Sequence, residues 1–198
     1  MKVEGELMGR TSLLVAIGAL GLSGCFGGGG PSELLTLTPS QSRVAAGPRA
    51  ATTGQVITVT TPSAPHALNN NRIPVYVSDT VIQYLKDAQW VEEPTELFRN
   101  LLSETIAART SYVVVDPALY TQAAGATLSG QLLQFGLDPN AMEVVVLFEG
   151  AIARPDQPVS TNRFEARIPV TEASRAAVAP ALNEAANRVA AEVTAWLG

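Results

Sequence analysis

Cys25 is the one cysteine of this 198-residue chain, and its neighbours decide what it can do. Leu22, Ser23 and Gly24 precede it, and the four residues together match the bacterial lipobox. Small residues ahead of the cysteine let a signal peptidase close on the backbone. The thiol then accepts a diacylglycerol group, and Cys25 becomes the new N-terminus. Other reactive groups are sparse. His66, the single histidine, lies between Pro65 and Ala67 in a polar stretch, where a solvated imidazole is expected. Glu92 and Glu93 precede Pro94, and a negative pair at a helix start is explained by the helix dipole without catalysis. Gly27–Gly30 follows no strand and reads as a tether, not a phosphate-binding loop. No H-E-x-x-H or G-x-S-x-G motif occurs, so the sequence offers no catalytic residue, no metal ligand set and no cofactor site.

The segment IQYLKDAQWVEEP, Ile82 to Pro94, concentrates rare residue types: Tyr84, Lys86 and Trp90. It admits three readings: an active site, a docking surface or a corner of the core. Buried aromatics usually serve packing. The reading preferred on that ground has Ile82, Tyr84 and Trp90 packing a strand-to-helix corner, with Lys86 and Asp87 as turn residues facing water. The docking reading would use Arg72, Tyr84 and Trp90.

The elements that must position these residues follow from pattern. Hydrophobic residues make up 46% and charged residues 16% of the chain, which describes a globular protein long enough to bury a core. A net charge of −5 with scattered arginines excludes a nucleic-acid partner, which needs clustered Lys and Arg. Residues 1–24 read as a lipoprotein signal peptide, because the apolar run Leu13 to Leu22 is too short for a span of about 20 residues. Glu4 and Glu6 are out of place in such a leader, and translation from Met8 gives a better one. Residues 25–32 form the lipidated cysteine and a glycine-rich tether, and 33–198 form one domain.

Within that domain Glu33–Pro39 reads as a first strand and Gln55–Pro62 as a β-branched second. Short strands flank the turn Ser78-Asp79-Thr80. PTELFRNLLSETIAAR is a helix opened by Pro94, with Leu97, Leu101 and Ile106 on one stripe. SYVVVDP reads as a buried strand. Three antiparallel strands follow. In the first, Leu133, Phe135 and Leu137 alternate; AMEVVVLFEGAIA is the apolar centre; in RFEARIPV, Phe164, Ala166, Ile168 and Val170 point inward. A final helix begins near Thr171 as cap, carries Val178, Leu182, Ala185, Val189, Val193 and Trp196 inward, and must kink or restart at Pro180. The expected fold class is α+β: a single mixed, largely antiparallel sheet with two amphipathic helices packed on it.

Laid out in this way, the chain resembles the ABC-type transport auxiliary lipoproteins. The resemblance rests on Leu22–Cys25, on SELLTLTPS, on ALNNNRIPVYVSDTVIQYLKDAQWVEEPTELFRNLL and on the final VAPALNEAANRVAAEVTAWL. Asn69-Asn70-Asn71 stands where relatives often carry acidic residues. The resemblance implies a non-enzymatic partner of an ABC permease, its ATPase and a mammalian-cell-entry (MCE) domain protein. Such systems move phospholipid or other hydrophobic molecules between the inner and outer membranes. The lipid on Cys25 would sit in the inner leaflet of the outer membrane, because Phe26 replaces the aspartate that favours inner-membrane retention. Matching the symmetry of MCE rings allows a homo-oligomer. The alternative function is that of a helper lipoprotein in outer-membrane assembly or lipopolysaccharide export, whose partner would be a β-barrel. A tethered enzyme is a third class, disfavoured by the missing catalytic motifs.

Overall fold

Strand β5 (Ala126–Asp138) is where the sheet is joined together. The computed structural model describes residues 33–41, 51–116 and 125–198. The leader, the lipobox, Cys25, the tether and most of the loop from Ser40 to Gly54 lie outside the described residues. One edge of β5 pairs antiparallel with β6 (Glu143–Ala153), which pairs antiparallel with β7 (Ser160–Pro169). The other edge is divided. β1 (Val56–Val59) runs parallel to Ala126–Leu128, and β2 (Arg72–Ser78) joins in parallel at Leu137. Between them the chain stays on β5: the Thr60 amide donates to Leu128 (3.0 Å), the Ser63 amide to Gly130 (3.0 Å), and the Leu132 amide to Ser63 (2.9 Å). β3 (Val81–Gln89) closes one end antiparallel to β2, and β4 (Val113–Val115) closes the other parallel to β1. Among the described residues the result is a seven-stranded mixed sheet with two α-helices, in agreement with the expected α+β class.

Helix α1 (Pro94–Arg109) starts at Pro94, whose missing N–H costs nothing at that position, and ends with Arg109 at the negative end of the dipole. Helix α2 (Arg175–Leu197) buries Val178, Leu182, Ala185, Val189 and Val193 as its spacing predicts. Small Ala185, Ala186 and Ala190 are fully buried and let it lie close to its neighbours. Four rings run in a row through the core. Phe98 of α1 meets Phe148 of β6 at 5.3 Å, Phe148 meets Phe164 of β7 at 6.5 Å, and Phe164 meets Trp196 of α2 at 5.6 Å. Buried Thr105 and Thr194 satisfy their hydroxyls on the carbonyls of Leu101 and Ala190, both at 2.7 Å.

Several expectations are corrected. Glu33–Pro39 is not a strand: it makes a single bridge, Leu35 to Trp90. Lys86 and Asp87 are not turn residues but lie within β3, where Asp87 takes a φ of 52° and the register with β2 shifts. That bulge turns Leu85 and Ala88 inward, which a flat strand could not do for both. In β5 a register shift between Leu132 and Gln134 moves the inward set to Leu132, Phe135 and Leu137, leaving Leu133 half-buried. β4 is half-buried throughout, because it pairs only with β1 at the sheet's edge. The cap of α2 is Ser174, not Thr171. The Ser174 hydroxyl accepts from the Ala177 amide (3.3 Å), and residues 171–173 are spent in turning from β7. Helix α2 is continuous through Pro180. Pro180 and Ala176, whose carbonyl loses its donor, are both exposed, so water can replace the missing bond. The alternation in β7 holds at Phe164, Ala166 and Ile168.

β2 reaches β5 at a point of very close approach. A side chain on Gly136 would meet the Pro74 carbonyl oxygen and the Tyr76 ring. Tyr76 lies over this glycine, and its phenol oxygen accepts from the Phe135 amide (3.2 Å). Burial pushes the Tyr76 pKa above its usual value of 10.0, and the Phe135 amide opposes that shift only in part. Raising the folded-state pKa of an acid favours its neutral form. Tyr76 therefore contributes stability fully below about pH 10, lost as pH rises through the folded-state value. Urea unfolding midpoints of the natural protein should fall more steeply as pH is raised above about 10 than those of Tyr76→Phe; parallel slopes would refute the assignment.

Candidate functional site

Arg72, Tyr84 and Trp90 come together at one corner, but they do different things there. β2 begins at Arg72 and β3 carries Tyr84 opposite Pro74. The Arg72 guanidinium lies 4.1 Å from the centre of the Tyr84 ring. Such an exposed cation–π pair is worth about 0.5–1 kcal/mol. The loop before β2 is tied to the same ring. Asn70 donates its side-chain amide to the Tyr84 phenol (3.2 Å) and to the Ala67 carbonyl (3.2 Å), and its Oδ1 accepts from the Arg72 amide (2.9 Å). The Tyr84 hydroxyl donates to Ala67 (3.4 Å). Asn70 therefore has a structural role: it ties the loop before β2 to the Tyr84 ring.

Trp90 goes the other way. It is 1% exposed and meets Phe135 edge to face at 5.7 Å. Its backbone holds the corner together: its amide donates to Asn71 (2.7 Å), while the neighbouring Val91 amide donates to Leu35 (2.8 Å). Its indole Nε1 is buried without a hydrogen-bond partner. This is packing of the kind the sequence favoured for Trp90. Ile82, expected beside it, is instead 46% exposed on the outer strand. Arg72 and Tyr84 form the accessible half of the corner and Trp90 its buried half.

The N-terminal arm, residues 33–40, is the part of this region that sequence reasoning missed. Arg175 at the start of α2 pairs with Glu33 at 2.5 Å. Leu35 is held between β3 and the corner by its own amide, which donates to Gln89 (2.8 Å), and by its carbonyl, which accepts from Val91. Then two asparagines of α2 take over. Asn183 Oδ1 accepts from the Thr38 amide (2.8 Å). Asn187 Oδ1 accepts from the Ser40 amide (2.7 Å), and its Nδ2 donates to the Thr38 carbonyl (2.9 Å). An asparagine amide carries the same donor and acceptor as a peptide group, so these side chains stand in for a neighbouring strand. The signal was in the sequence: Asn183 and Asn187 are one helical turn apart on an otherwise alanine-rich helix.

Reactive chemistry is thin among the described residues. His66 lies exposed in a 3-10 turn, His66–Leu68. Among the described residues no three of His, Cys, Asp and Glu gather as a metal site. Cys25 and the lipobox residues Leu22, Ser23 and Gly24 lie outside the described residues.

Comparison with known proteins bears on the whole domain. The family model for the ABC-type transport auxiliary lipoprotein component matches residues 35–194. No curated protein matches the sequence. Two crystal structures share the fold. One, of a protein described as uncharacterized, superposes with a TM-score of 0.65 at 14% identity and covers 84% of this chain and all of its own. The other, a Xanthomonas campestris protein of the family model DUF330, gives a TM-score of 0.63 at 19% identity over 84% of this chain and 92% of its own. At these identities the likeness is one of fold.

Two substitutions separate the roles at the corner. Trp90→Ala should cost about 3–5 kcal/mol, as for other large core aromatics, out of a total of about 5–15, and so leave the domain close to unfolding in chemical denaturation. Asn187→Ala should cost only about 1–2 kcal/mol, yet speed amide hydrogen exchange at Thr38 and Ser40 well above that of the sheet. Unchanged exchange in the arm would show that the asparagines do not hold it.

Proposed function

The chain belongs to the ABC-type transport auxiliary lipoprotein family over residues 35–194, and on that premise we propose that it is a non-enzymatic docking lipoprotein of the outer membrane. In this reading it faces the periplasm and serves an ABC permease, its ATPase and an MCE-domain protein that together move phospholipid or other hydrophobic molecules between the two membranes. The family match carries the reading, because it spans almost the whole of the unit Glu33–Gly198. The leader supports it. Leu22-Ser23-Gly24-Cys25 would place two or more acyl chains on Cys25, and two lipid signals are what stable anchoring needs. Residues 25–32 would then reach no more than about 30 Å at roughly 3.3–3.6 Å per residue, keeping the domain next to the bilayer. Phe26 supports sorting to the outer membrane.

The mechanical demand on such a dock is that a pull on the tether reaches the domain without peeling it open. The arm directly follows the tether, and its bonds to β3 and α2 spread such a load over two elements. A permanently anchored, passive receiver is served by that construction. A homo-oligomer matched to the partner's symmetry is compatible with it.

Two measurements on living cells test the reading. Cys25→Ser should move the protein from the outer-membrane fraction to the soluble periplasm and weaken the permeability barrier. Site-specific crosslinking from Arg72 or Tyr84 should capture the MCE-domain protein. Membrane attachment that survives Cys25→Ser would refute the anchor, and repeated capture of a β-barrel instead would transfer the protein to envelope assembly or lipopolysaccharide export.

A further inference from the structure

A cleft of about 280 Å³ opens between the N-terminal arm and α1. Its walls are Leu37 and Pro39 of the arm, Val91, and Leu97 and Leu101 of the helix. Glu92 and Glu104 also line it. Both glutamates are exposed, and neither has an ion-pair partner among the described residues, whereas Glu96 on the same helix is paired with Arg99 at 3.2 Å. An apolar floor with two uncompensated carboxylates, on a chain of net charge −5, is a place for a ligand both apolar and cationic.

The backbone adds a second requirement. In an extended segment successive residues turn their N–H and C=O groups to opposite sides. Leu35 spends both groups on the Gln89–Val91 side, and Thr38 spends both on α2. Leu37 shares the parity of Leu35, so its groups turn away from α2, to the side where the chain has already left Val91 for α1. No partner for the Leu37 amide or carbonyl exists among the described residues. The short ladder begun at Leu35 is thus left open where the cleft lies.

We propose that this cleft receives an extended peptide segment of a partner protein, with an apolar side chain and a Lys or Arg two residues to either side of it, so that all three face the cleft. The segment's backbone pairs with Leu37, its apolar side chain rests against Leu97 and Leu101, and its basic residues meet Glu92 and Glu104. This is strand addition, with main-chain bonds giving affinity and side-chain contacts giving selectivity. A phospholipid fits poorly, because the two carboxylates repel its phosphate. The inference does not depend on which transport system the protein serves.

A fluorescently labelled lysine–valine peptide, Lys-Thr-Val-Thr-Lys-Thr, whose lysines and valine share one face when extended, tests it, added to the purified full chain in neutral detergent. Anisotropy should report saturable binding, and hydrogen exchange should slow at residues 35–39. A glutamate–valine peptide, and a lysine–valine peptide N-methylated along one backbone edge, should each bind at least tenfold more weakly. Glu92→Lys with Glu104→Lys, both exposed and so compatible with an intact fold, should lose at least tenfold in affinity for the basic peptide. The proposal fails if the basic peptide does not bind at millimolar concentration, if the double variant binds it equally well, or if protection appears elsewhere. It also fails if phosphatidylglycerol vesicles protect residues 35–39 and the peptide does not, since the occupant would then be lipid.

Discussion

Strand β5 has to serve three neighbours with two edges, and the rest of the molecule follows from how it does so. One edge is given whole to β6. The other is shared by a single stretch of chain that runs alongside from Ile57 to Ser63 and returns as β2 near Leu137. The sharing works because β5 changes face part-way. The shift between Leu132 and Gln134 re-aims the strand, and Gly136 then lets Pro74 and Tyr76 come close. With β2 joined only there, β3 becomes an edge strand, and the corner from Arg72 to Trp90 is built on a hairpin held to the sheet chiefly at one end.

That arrangement explains why the corner is divided into a buried and an accessible half. Trp90 follows β3 where the chain crosses to α1, and its ring is buried in the core and meets Phe135 of β5. Tyr84 lies earlier in the same strand, before the bulge at Asp87, and is left at the surface with Arg72. An unpartnered indole N–H is retained in the core because the area buried by a tryptophan outweighs one lost hydrogen bond.

The N-terminal arm shows how a segment can be ordered without becoming a strand. β3 offers it pairing at Leu35 only, and α2 has no free backbone donors or acceptors in mid-helix. Side-chain amides at Asn183 and Asn187 supply what a strand would have supplied.

Local pattern made much of this legible. The period-two alternation of β7, the leucine stripe of α1 with Pro94 at its head and the inward residues of α2 were all read correctly, because each depends on neighbours within one element. The α+β class followed from them. What sequence pattern misplaced depends on partners far along the chain. Leu133 was exchanged for Leu132 because a bulge is decided by the strands on either side. Glu33–Pro39 lost its strand because the atoms that satisfy it sit about 150 residues away, on α2. Ile82 and Trp90, close in sequence and both apolar, part company because only the tertiary structure decides which side of an edge strand is covered. Residue types and their spacing determine which groups must be buried and which can be anchored. The packing of β5 against its competing neighbours decides where the remaining surface, and with it the accessible half of the corner and the cleft, is left open.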